Sequence, residues 1–369
     1  MKKRYKVGLW FAGIIAIGVI VLRLVLSHDS PCETPPPASA SPAMKGWIHP
    51  CYGGPETLVY QDVPKPVPAD DEVLVRVRAA SVNPLDWHVM RGKPYAMRLM
   101  GSGLGKPRTS LIGVDYAGVV EAVGNGVTGF RVGDEVFGAR DGAFSEFVVA
   151  KADRSIQLKP ANLSFQEAAA VPVAAITALQ ALRDLGQLKS GEKVLINGAS
   201  GGVGTYAVQI AKALGAHVTG VCSGRNVELV KSLGADRVID YTTGNPTAED
   251  VQYDLIVDNV VTHDLSDYRK VLTGPGRFVM VGSLDDGEYL GPINDVAKLS
   301  VYDPFVSQDF SFLMASLNPE DLATLRDMLA EGKIRSVIDR TYRLAELREA
   351  IAYVETGRAR GKVVVVVAE

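Results

Sequence analysis

The glycine-rich stretch at residues 193–204 constrains the fold of this chain more than any other. Residues 194–196 form an apolar run rich in β-branched side chains, which predicts a buried parallel strand. Residues 206–214 carry apolar side chains at helical spacing, and Gly215 stands where a helix usually ends. Small residues between the two let the backbone approach a pyrophosphate at the N–H groups of a helix start. The residues of this predicted phosphate cradle are Ser200, Gly201, Gly202, Val203 and Gly204.

The surrounding pattern favours a phosphate cradle over the alternative, an ordinary glycine loop. A second strand at residues 217–222 follows the helix and completes a βαβ unit, and two further strands are predicted at 253–258 and 277–282. This alternation predicts an α/β fold with a doubly wound parallel sheet. Ligands of such sheets bind at the carboxyl ends of the strands. Three residues at those ends are therefore predicted to line the crevice: Asn259, Gly282 and Ser283.

Length, charge and cysteine content narrow the class of protein. A chain of 369 residues is long enough for about two domains. A net charge of −3 gives no reason to expect a nucleic-acid partner. The three cysteines, Cys32, Cys51 and Cys222, are too few and too scattered to indicate a disulfide framework. None of them belongs to a CxxC pair, so the usual zinc-binding spacing is absent.

The first 43 residues differ in composition from the rest. Residues 7–26 are almost wholly apolar, with Arg23 near their end, and four basic residues lie among the first six. A helix of about 20 residues spans a bilayer. Residues 1–26 are therefore predicted to form a single-pass membrane anchor rather than a cleaved signal peptide, a buried core helix being the other alternative. Residues 27–43 are rich in Pro, Ala and Ser, which predicts an extended linker.

The charges beside this apolar segment raise a conflict about location. A basic flank stays in the cytoplasm, which places the body of the protein on the other side of the membrane. The glycine cradle, however, indicates a body that binds a cytosolic cofactor. Translation starting at Met44 would give a cytoplasmic protein and remove the conflict. The sequence leaves both locations open.

The part of the chain from residue 44 to residue 163 is dominated by short predicted strands. Residues 72–79 alternate apolar and polar side chains, as a half-buried strand does. Further strands are predicted at 44–49, 111–123, 133–137 and 143–149, with glycine turns between them. Many short strands at close spacing predict a small barrel-like β domain.

Five short motifs follow one another along the chain, and together they resemble those of a known family. They lie at residues 52–56, 81–86, 113–118, 132–137 and 197–204. With these motifs the chain resembles the medium-chain dehydrogenase/reductase superfamily, and it is most similar to the zinc-independent quinone oxidoreductase branch. The resemblance implies a GroES-like β-barrel-type catalytic domain at 44–163 and a Rossmann NADPH-binding domain at 164–308. It also implies that residues 309–369 return to the catalytic domain. Homo-oligomers are common in the family, although no residue pattern here indicates an interface.

The chain departs from the zinc-dependent members of that superfamily at the metal site. In those relatives a Cys, a His and a second Cys hold the catalytic zinc, and the matching positions here carry Asn83, Val114 and Val173. Valine offers no lone pair to a metal. The four-cysteine lobe that binds a structural zinc is also missing, since residues 119–150 contain no cysteine. We therefore predict that the protein binds no metal.

The residues after the strand at 217–222 indicate the type of cofactor. An enzyme that selects NAD carries an acid there to bind the ribose 2′-hydroxyl. Ser223, Gly224 and Arg225 stand there instead. A hydroxyl and a guanidinium suit a 2′-phosphate, which favours NADPH, although Arg225 is also consistent with a solvated surface charge. The resemblance adds three cofactor contacts, each also consistent with a structural role: Thr177, Tyr241 and Lys362.

Reduction is the chemistry that this predicted site favours, because no metal polarises an alcohol for oxidation. A bound nicotinamide can pass hydride to a quinone or an enone while the protein orients the acceptor. A hydrogen-bond donor then stabilises the charge that develops on oxygen. Asn83 is the first candidate donor, followed by Tyr116 and Tyr95, while Asp86 and Trp87 are predicted to shape the pocket.

Two functions from different classes follow. The first is an NADPH-dependent reductase whose partner is a small-molecule quinone or α,β-unsaturated carbonyl, with residues 90–110 lining the entrance of its cleft. The alternative is a membrane-tethered NADPH-binding sensor or assembly factor without turnover. The apolar N-terminal segment and the lack of an obvious proton donor motivate this second function.

Overall fold

A computed structural model describes residues 23–38, 42–248, 250–285 and 287–367. The strands form two large sheets, one in each of two domains, and a two-stranded sheet of β1 and β2. The strands are β1 Ala43–Ile48, β2 Val59–Pro64, β3 Glu72–Val82, β4 Asp115–Val123, β5 Glu135–Ala139, β6 Phe147–Lys151, β7 Ile156–Leu158, β8 Lys193–Asn197, β9 His217–Cys222, β10 Arg237–Asp240, β11 Tyr253–Asp258, β12 Leu272–Met280, β13 Asp309–Phe312, β14 Ile338–Arg343 and β15 Lys362–Val366. The α-helices are α1 Pro84–Arg91, α2 Phe165–Ala169, α3 Pro172–Gln180, α4 Gly202–Ala213, α5 Val227–Ser232, α6 Leu265–Lys270, α7 Pro292–Tyr302, α8 Pro319–Ala330 and α9 Leu347–Glu355.

The first domain is built on a sheet with the order β14-β15-β3-β4-β5-β7, to which β6 adds by pairing with β3. Alternate apolar side chains of β3 fill its core, and Val73, Val75 and Val77 are fully buried. The last strand, β15, runs antiparallel to β3, with Val363 opposite Val82. The last strand of the chain therefore belongs to the same domain as β3, although the strands of the second domain lie between them in sequence.

The second domain contains six parallel strands in the order β10-β9-β8-β11-β12-β13. Counted from β8, this is the order 3-2-1-4-5-6 of a Rossmann fold. The order reverses between β8 and β11, whose last residues, Asn197 and Asp258, lie side by side. Ligands of such sheets bind at this reversal point. The predicted α/β class, with a β-rich first domain and a Rossmann second domain, is confirmed.

Two local predictions differ from the observed elements. The sequence predicts one helix at 167–182, interrupted at Pro172, whereas Pro172 begins a new helix, α3, after the short α2. Proline is favoured at the first position of a helix because its missing N–H has no partner there. The sequence also predicts a strand at residues 334–338, whereas the observed strand, β14, begins only at Ile338.

The predicted membrane anchor at residues 1–26 lies outside the described residues except for its last four. No helix in the described part of the chain is long and apolar enough to cross a bilayer. Residues 23–26 form a helical turn against the first domain, where Leu26 is 7% exposed and its carbonyl accepts a hydrogen bond from Arg98 at 2.9 Å. The predicted single-pass membrane location is therefore wrong, because the described end of the segment is folded onto the protein.

The cysteines also differ from expectation. Cys32 and Cys51 form a disulfide that ties the segment before β1 to the first domain. Cys222 is buried and has a free thiol. One bond between two distant cysteines leaves no spacing pattern in the sequence, so counting cysteines could not find it.

Candidate active site

The glycine loop lies between the end of β8 and the start of α4. Gly198 has a φ of 75°, in the left-handed region that favours glycine. A Cβ on Gly204 would lie 2.1 Å from the carbonyl oxygen of Gly198, so the helix and the loop approach at a distance that only glycine permits. A Cβ on Gly201 would meet only that same oxygen, at 3.4 Å. The start of the helix is therefore open on the side of Gly201, as a phosphate cradle requires.

The loop also contacts the first domain. Gly201 forms an isolated parallel β-bridge with Gly361. The N–H of Gly361 donates a hydrogen bond to the carbonyl oxygen of Ser200 at 2.9 Å. A Cβ on Gly202 would lie 3.3 Å from Cδ of Lys362. The chain segment before β15 thus passes directly beside the predicted phosphate cradle. This places Lys362 on the line where the two domains meet.

A cavity of about 480 Å³ opens at the carboxyl ends of β8 and β9. Its volume is within the range of small-molecule sites. Five of the predicted cofactor residues line it: Ser200, Gly201, Ser223, Arg225 and Tyr241. The other three cradle residues, Gly202, Val203 and Gly204, form the first turn of α4. The first domain completes the wall with residues 357–359, so the cavity lies between the domains.

Two arginines, one from each domain, line this cavity. The Arg225 guanidinium donates to the carbonyl of Arg358 at 2.8 Å.

An acid that sequence reasoning missed, Asp240, ends β10, and a Cβ on Gly224 would lie 2.5 Å from its Oδ2. The backbone N–H and the hydroxyl of Thr242 donate to Asp240 and hold the pKa of its carboxyl below the usual range. The acid of an NAD-selecting site is expected directly after β9, whereas Asp240 comes from the neighbouring strand β10.

Asn226 is a second residue that the sequence did not single out. It is 4% exposed, and its amide nitrogen donates to the hydroxyls of Ser200 at 2.9 Å and Ser223 at 3.2 Å. Its Oδ1 is buried without a hydrogen-bond partner among the described residues. Asn226 therefore fixes both serines at the wall of the cavity. No motif marks it, because its role depends on the distance between two loops.

The other predicted crevice residues have protein partners of their own. The Asn259 amide donates to the carbonyl of Asn197 at 2.7 Å, and a Cβ on Gly282 would lie 2.9 Å from the carbonyl oxygen of Asn259. The Ser283 hydroxyl donates to Asp295 at 2.6 Å. The Thr177 hydroxyl donates to the carbonyl of Val173 at 2.7 Å, one turn earlier in α3. Thr177 and Ser283 thus use their hydroxyl protons within the protein.

A buried polar cluster lies where β3 ends and β4 and β15 begin. Asp115 is fully buried and accepts hydrogen bonds from the Ser81 hydroxyl and the Asn83 amide, each at 2.9 Å, and from the Val173 N–H at 3.0 Å. Lys362 is 3% exposed; its ammonium donates to Asn83 Oδ1 and lies 3.4 Å from Asp115 Oδ2. The structure therefore brings two predicted site residues, Asn83 and Lys362, into direct contact.

The pairing of β3 with β4 and with β15 brings the residues of this cluster together. Ser81 lies opposite Asp115 in the β3–β4 pair, and Val363 lies opposite Val82 in the β15–β3 pair. Burial lowers the pKa of the Lys362 ammonium, and the negative charge of Asp115 opposes that shift. Asp115 stands inside the motif at 113–118, but the sequence does not show that its carboxylate faces Lys362.

Asp86 lies at the edge of the same cluster. It is 2% exposed, and its Oδ2 accepts a hydrogen bond from the Asn83 N–H at 2.7 Å. Burial raises the pKa of this carboxyl from 3.8 to about 7, and the Asn83 hydrogen bond opposes the shift. Asp86 therefore changes its protonation close to neutral pH, where an ordinary aspartate is fully ionised.

We expect Asp86 to make the folded protein less stable as pH rises from about 4 to about 7. In that window the folded carboxyl keeps a proton that the unfolded one has lost, so the free energy of unfolding falls, by at most about 4 kcal/mol. Asp86→Asn keeps an oxygen for the Asn83 N–H and should flatten this part of the curve. Urea unfolding of both proteins across the window measures the two slopes. Equal slopes would contradict the assignment.

The tyrosines predicted as donors lie elsewhere. Tyr116 follows Asp115 along β4, and successive side chains of a strand face opposite sides. Its ring is fully buried in the barrel core, its hydroxyl lies against Gly138, and no described residue bonds that hydroxyl. Burial raises the pKa of Tyr116. Tyr95 packs on the ring of Tyr289, at 5.2 Å between centroids. Neither tyrosine joins the Asn83–Lys362 contact.

Comparison with known proteins agrees with this architecture. Two family models match the chain: the alcohol dehydrogenase GroES-like domain at residues 69–160 and the zinc-binding dehydrogenase at residues 233–365. The mitochondrial NAD(P)H oxidoreductase RTN4IP1 of Mus musculus is 37% identical, over 89% of this chain and 90% of its own length.

The chain belongs to the medium-chain dehydrogenase/reductase superfamily. A second relative, the 2-methylene-furan-3-one reductase of Solanum lycopersicum, is 33% identical, over 94% of this chain and 85% of its own length. The solved structure of the quinone oxidoreductase from Coxiella burnetii superposes with a TM-score of 0.74 at 32% identity. That match covers 88% of this chain and 99% of the other. The protein is thus an oxidoreductase of the medium-chain family, and the resemblance seen in its motifs is confirmed.

The residues at the zinc position of the medium-chain dehydrogenases do not fit a metal here. Val114 and Val173 offer no ligand atom. The side-chain oxygen of Asn83 already accepts a hydrogen bond from the Lys362 ammonium, so a cation of the protein itself lies at this point. Within the described ranges, no group of three or more His, Cys, Asp and Glu side chains is arranged to hold a metal ion.

Proposed function

We propose that this medium-chain protein reduces a quinone or an α,β-unsaturated carbonyl with hydride from NADPH. The contact between the Lys362 ammonium and Asn83 carries the proposal, because it supplies a buried positive charge at the point where zinc-dependent relatives hold their metal. The names of the relatives support the reaction class. They include an NAD(P)H oxidoreductase, a reductase of 2-methylene-furan-3-one and a quinone oxidoreductase.

The cavity between the domains suits a phosphorylated dinucleotide. The glycine loop is open at Gly201, where the N–H groups of a helix start attract a pyrophosphate. Ser223 and Arg225 are proposed to bind the 2′-phosphate, which a guanidinium recognises through charge-assisted hydrogen bonds. The Tyr241 ring lines the same cavity and is available to pack on the adenosine. When bound, NADPH supplies the hydride.

Asn83 and Lys362 are proposed to act on the acceptor oxygen. Hydride addition to the β-carbon of an enone leaves negative charge on the carbonyl oxygen, and donors fixed in a water-poor site stabilise it. Lys362 has a lowered pKa, so its Nζ gives up a proton more readily than a solvated lysine does. The Asp115 carboxylate accepts a hydrogen bond from the Asn83 amide and lies 3.4 Å from the Lys362 ammonium. We therefore assign Asp115 the role of a positioning residue.

Cofactor oxidation with a small panel of quinones and enones tests the proposal, with NADPH compared against NADH. We expect turnover with at least one acceptor class and a preference for NADPH. Tight NADPH binding without turnover on the whole panel would contradict the reductase function. Equal turnover with both cofactors would contradict the assignment of the 2′-phosphate site alone.

The variant Arg225→Ala should reduce the NADPH preference by about 10- to 100-fold, because a hydrogen bond to a charged group is worth about 1.5–3 kcal/mol. The ratio of kcat/KM for NADPH and NADH measures this, and the value for NADH should stay close to that of the parent protein. Arg131→Ala removes an exposed arginine before β5 and is the matched control. Equal losses with both cofactors in Arg225→Ala would indicate a structural defect instead.

A further inference from the structure

The segment before β1 lies across the first domain, and we call residues 23–38 the N-terminal strap. The N–H of Ser30 donates to the carbonyl of Gly105 at 2.7 Å. At the far end of the strap, the N–H of Ala38 donates to the carbonyl of Asp62 in β2 at 2.9 Å. The strap thus runs from the loop at residues 98–108, which we call the entrance loop, to the β1–β2 sheet.

Arg98 joins the strap to the entrance loop. It is 2% exposed, and its guanidinium donates to the carbonyls of Leu26 at 2.9 Å and His28 at 3.3 Å. It also pairs with Asp29 at 2.8 Å and donates to the carbonyl of Gly92 at 2.9 Å. Three partners of this buried cation therefore belong to the strap. Among the described residues, Arg98 would keep only the carbonyls of Gly92 and Leu104 as hydrogen-bond acceptors without the strap.

A stack of cations and aromatic rings continues from Arg98 to the Rossmann domain. The Arg98 guanidinium lies 4.2 Å from the ring centre of Tyr52 and 4.6 Å from that of Tyr95. Tyr95 packs edge to face on Tyr289, with 5.2 Å between ring centres. Arg23 of the strap lies over the other end of the stack, 5.0 Å from the Tyr289 ring. The strap therefore contacts both ends of this stack, at the Arg98 guanidinium and at the Tyr289 ring, and the stack joins the two domains.

This contact includes Tyr95 and Arg98, which belong to the segment predicted to line the acceptor entrance. Beside the stack, the N–H of Tyr95 donates to the carbonyl of Glu288 at 2.7 Å. The segment that carries Glu288 begins at the carboxyl end of β12, and its Leu284 lines the cofactor cavity. A displacement of the entrance loop would thus change the contact between the domains next to the segment that reaches the cofactor cavity.

The disulfide fastens the strap next to this stack. Cys51 is 3% exposed and directly precedes Tyr52, whereas Cys32 is exposed on the strap. We propose that the Cys32–Cys51 pair is a reversible redox site that sets how firmly the strap closes the acceptor entrance. The disulfide keeps the partners of Arg98 in place, and its reduction frees the strap and loosens the entrance loop. The effect on acceptors rests on the proposed reductase function, whereas the release of the strap does not.

The reaction needs a dithiol as its reductant. A thiolate of the dithiol attacks Sγ of Cys32, the exposed sulfur, and the protein S–S bond breaks with Cys51 leaving as a thiolate that takes up a proton. The second thiol of the reagent then displaces Cys32, which leaves as a thiol. Two electrons pass to the protein pair, and the dithiol is oxidised to a disulfide. Oxidation of the protein reverses each of these steps.

The test compares the full chain before and after treatment with dithiothreitol. Hydrogen exchange should become about tenfold faster in the strap and in residues 98–105, because both lose local stability. The KM for a bulky quinone should change by about threefold or more, while the KM for NADPH stays constant. Cys32→Ser alters only the exposed partner and leaves the buried Cys51 in place. It should resemble the reduced protein and be insensitive to dithiothreitol.

Three results would overturn the redox site. These are alkylation of both cysteines in protein never exposed to a reductant, unchanged exchange in the strap after reduction, and a Cys32→Ser variant that still responds to dithiothreitol. Faster exchange in a protein that turns over no acceptor would refute the proposed function and leave the redox site standing. Turnover with unchanged exchange would refute the redox site alone.

Discussion

Replacing Gly204 with alanine should weaken NADPH binding by about 100-fold, the loss expected when about two hydrogen bonds to a charged group are broken. The new Cβ would lie 2.1 Å from the carbonyl oxygen of Gly198 and 2.8 Å from backbone atoms of Ala199. Both neighbours are backbone, so the clash is relieved only if α4 moves away from the loop. The N–H groups at the helix start would then miss the pyrophosphate. Titration of the variant with NADPH measures the loss.

Gly274→Ala is the matched control for this variant. Gly274 also belongs to the Rossmann domain, is exposed, and has open space where a Cβ would lie. This control should bind NADPH like the parent protein. Thermal unfolding of both variants separates a displaced helix from a general loss of folding. Normal NADPH affinity in Gly204→Ala would show that the glycine loop is not the cofactor cradle.

Replacing Lys362 with methionine should produce the second large effect, on both stability and turnover. It leaves the fully buried Asp115 carboxylate without its cation, and breaking a buried ion pair costs about 3–5 kcal/mol. It also removes the proposed proton donor. Loss of one donor to a developing oxyanion lowers kcat by about 100- to 1,000-fold. Urea unfolding measures the first effect and steady-state kinetics the second.

The double variant Lys362→Met with Asp115→Asn separates these two effects. The amide that replaces the Asp115 carboxylate carries no charge, so the double variant should recover part of the lost stability. Its kcat should stay low, since no ammonium is restored. Recovery of turnover together with stability would show that Lys362 has only a structural role.

The cofactor half of the site could be predicted from local sequence. A strand, a glycine turn and a helix are contiguous in the chain, so residues 193–214 carry the information for their own geometry. Repeated βαβ units predict a parallel sheet, whereas the order of its strands and the point of reversal were given by the structure. Arg225 and Ser223 could be found for the same reason, because they directly follow β9.

The proposed catalytic half of the site depends on contacts between distant parts of the chain. Asn83, Asp115 and Lys362 meet because β4 and β15 both pair with β3, and no local pattern encodes that register. Tyr116 illustrates the consequence. It adjoins Asp115 in sequence, yet the alternation of β4 turns it into the barrel core. Asn226 was missed because its contacts with Ser200 and Ser223 join two loops, and Asp240 was missed because it lies beside Gly224 from the neighbouring strand β10.

The pairing of β15 with β3 has a consequence for the order in which the chain can fold during synthesis. Val82 leaves the ribosome early, and its partner Val363 leaves it about 280 residues later. The six Rossmann strands lie entirely between them, so the cofactor domain can be complete while the barrel still has an open edge along β3. A dinucleotide that binds the completed Rossmann domain would then stabilise that domain while the rest of the chain is still being made. Lys362 arrives with β15, the strand that covers this edge of β3, so the proposed proton donor joins its partners Asn83 and Asp115 only after the Rossmann strands have been made.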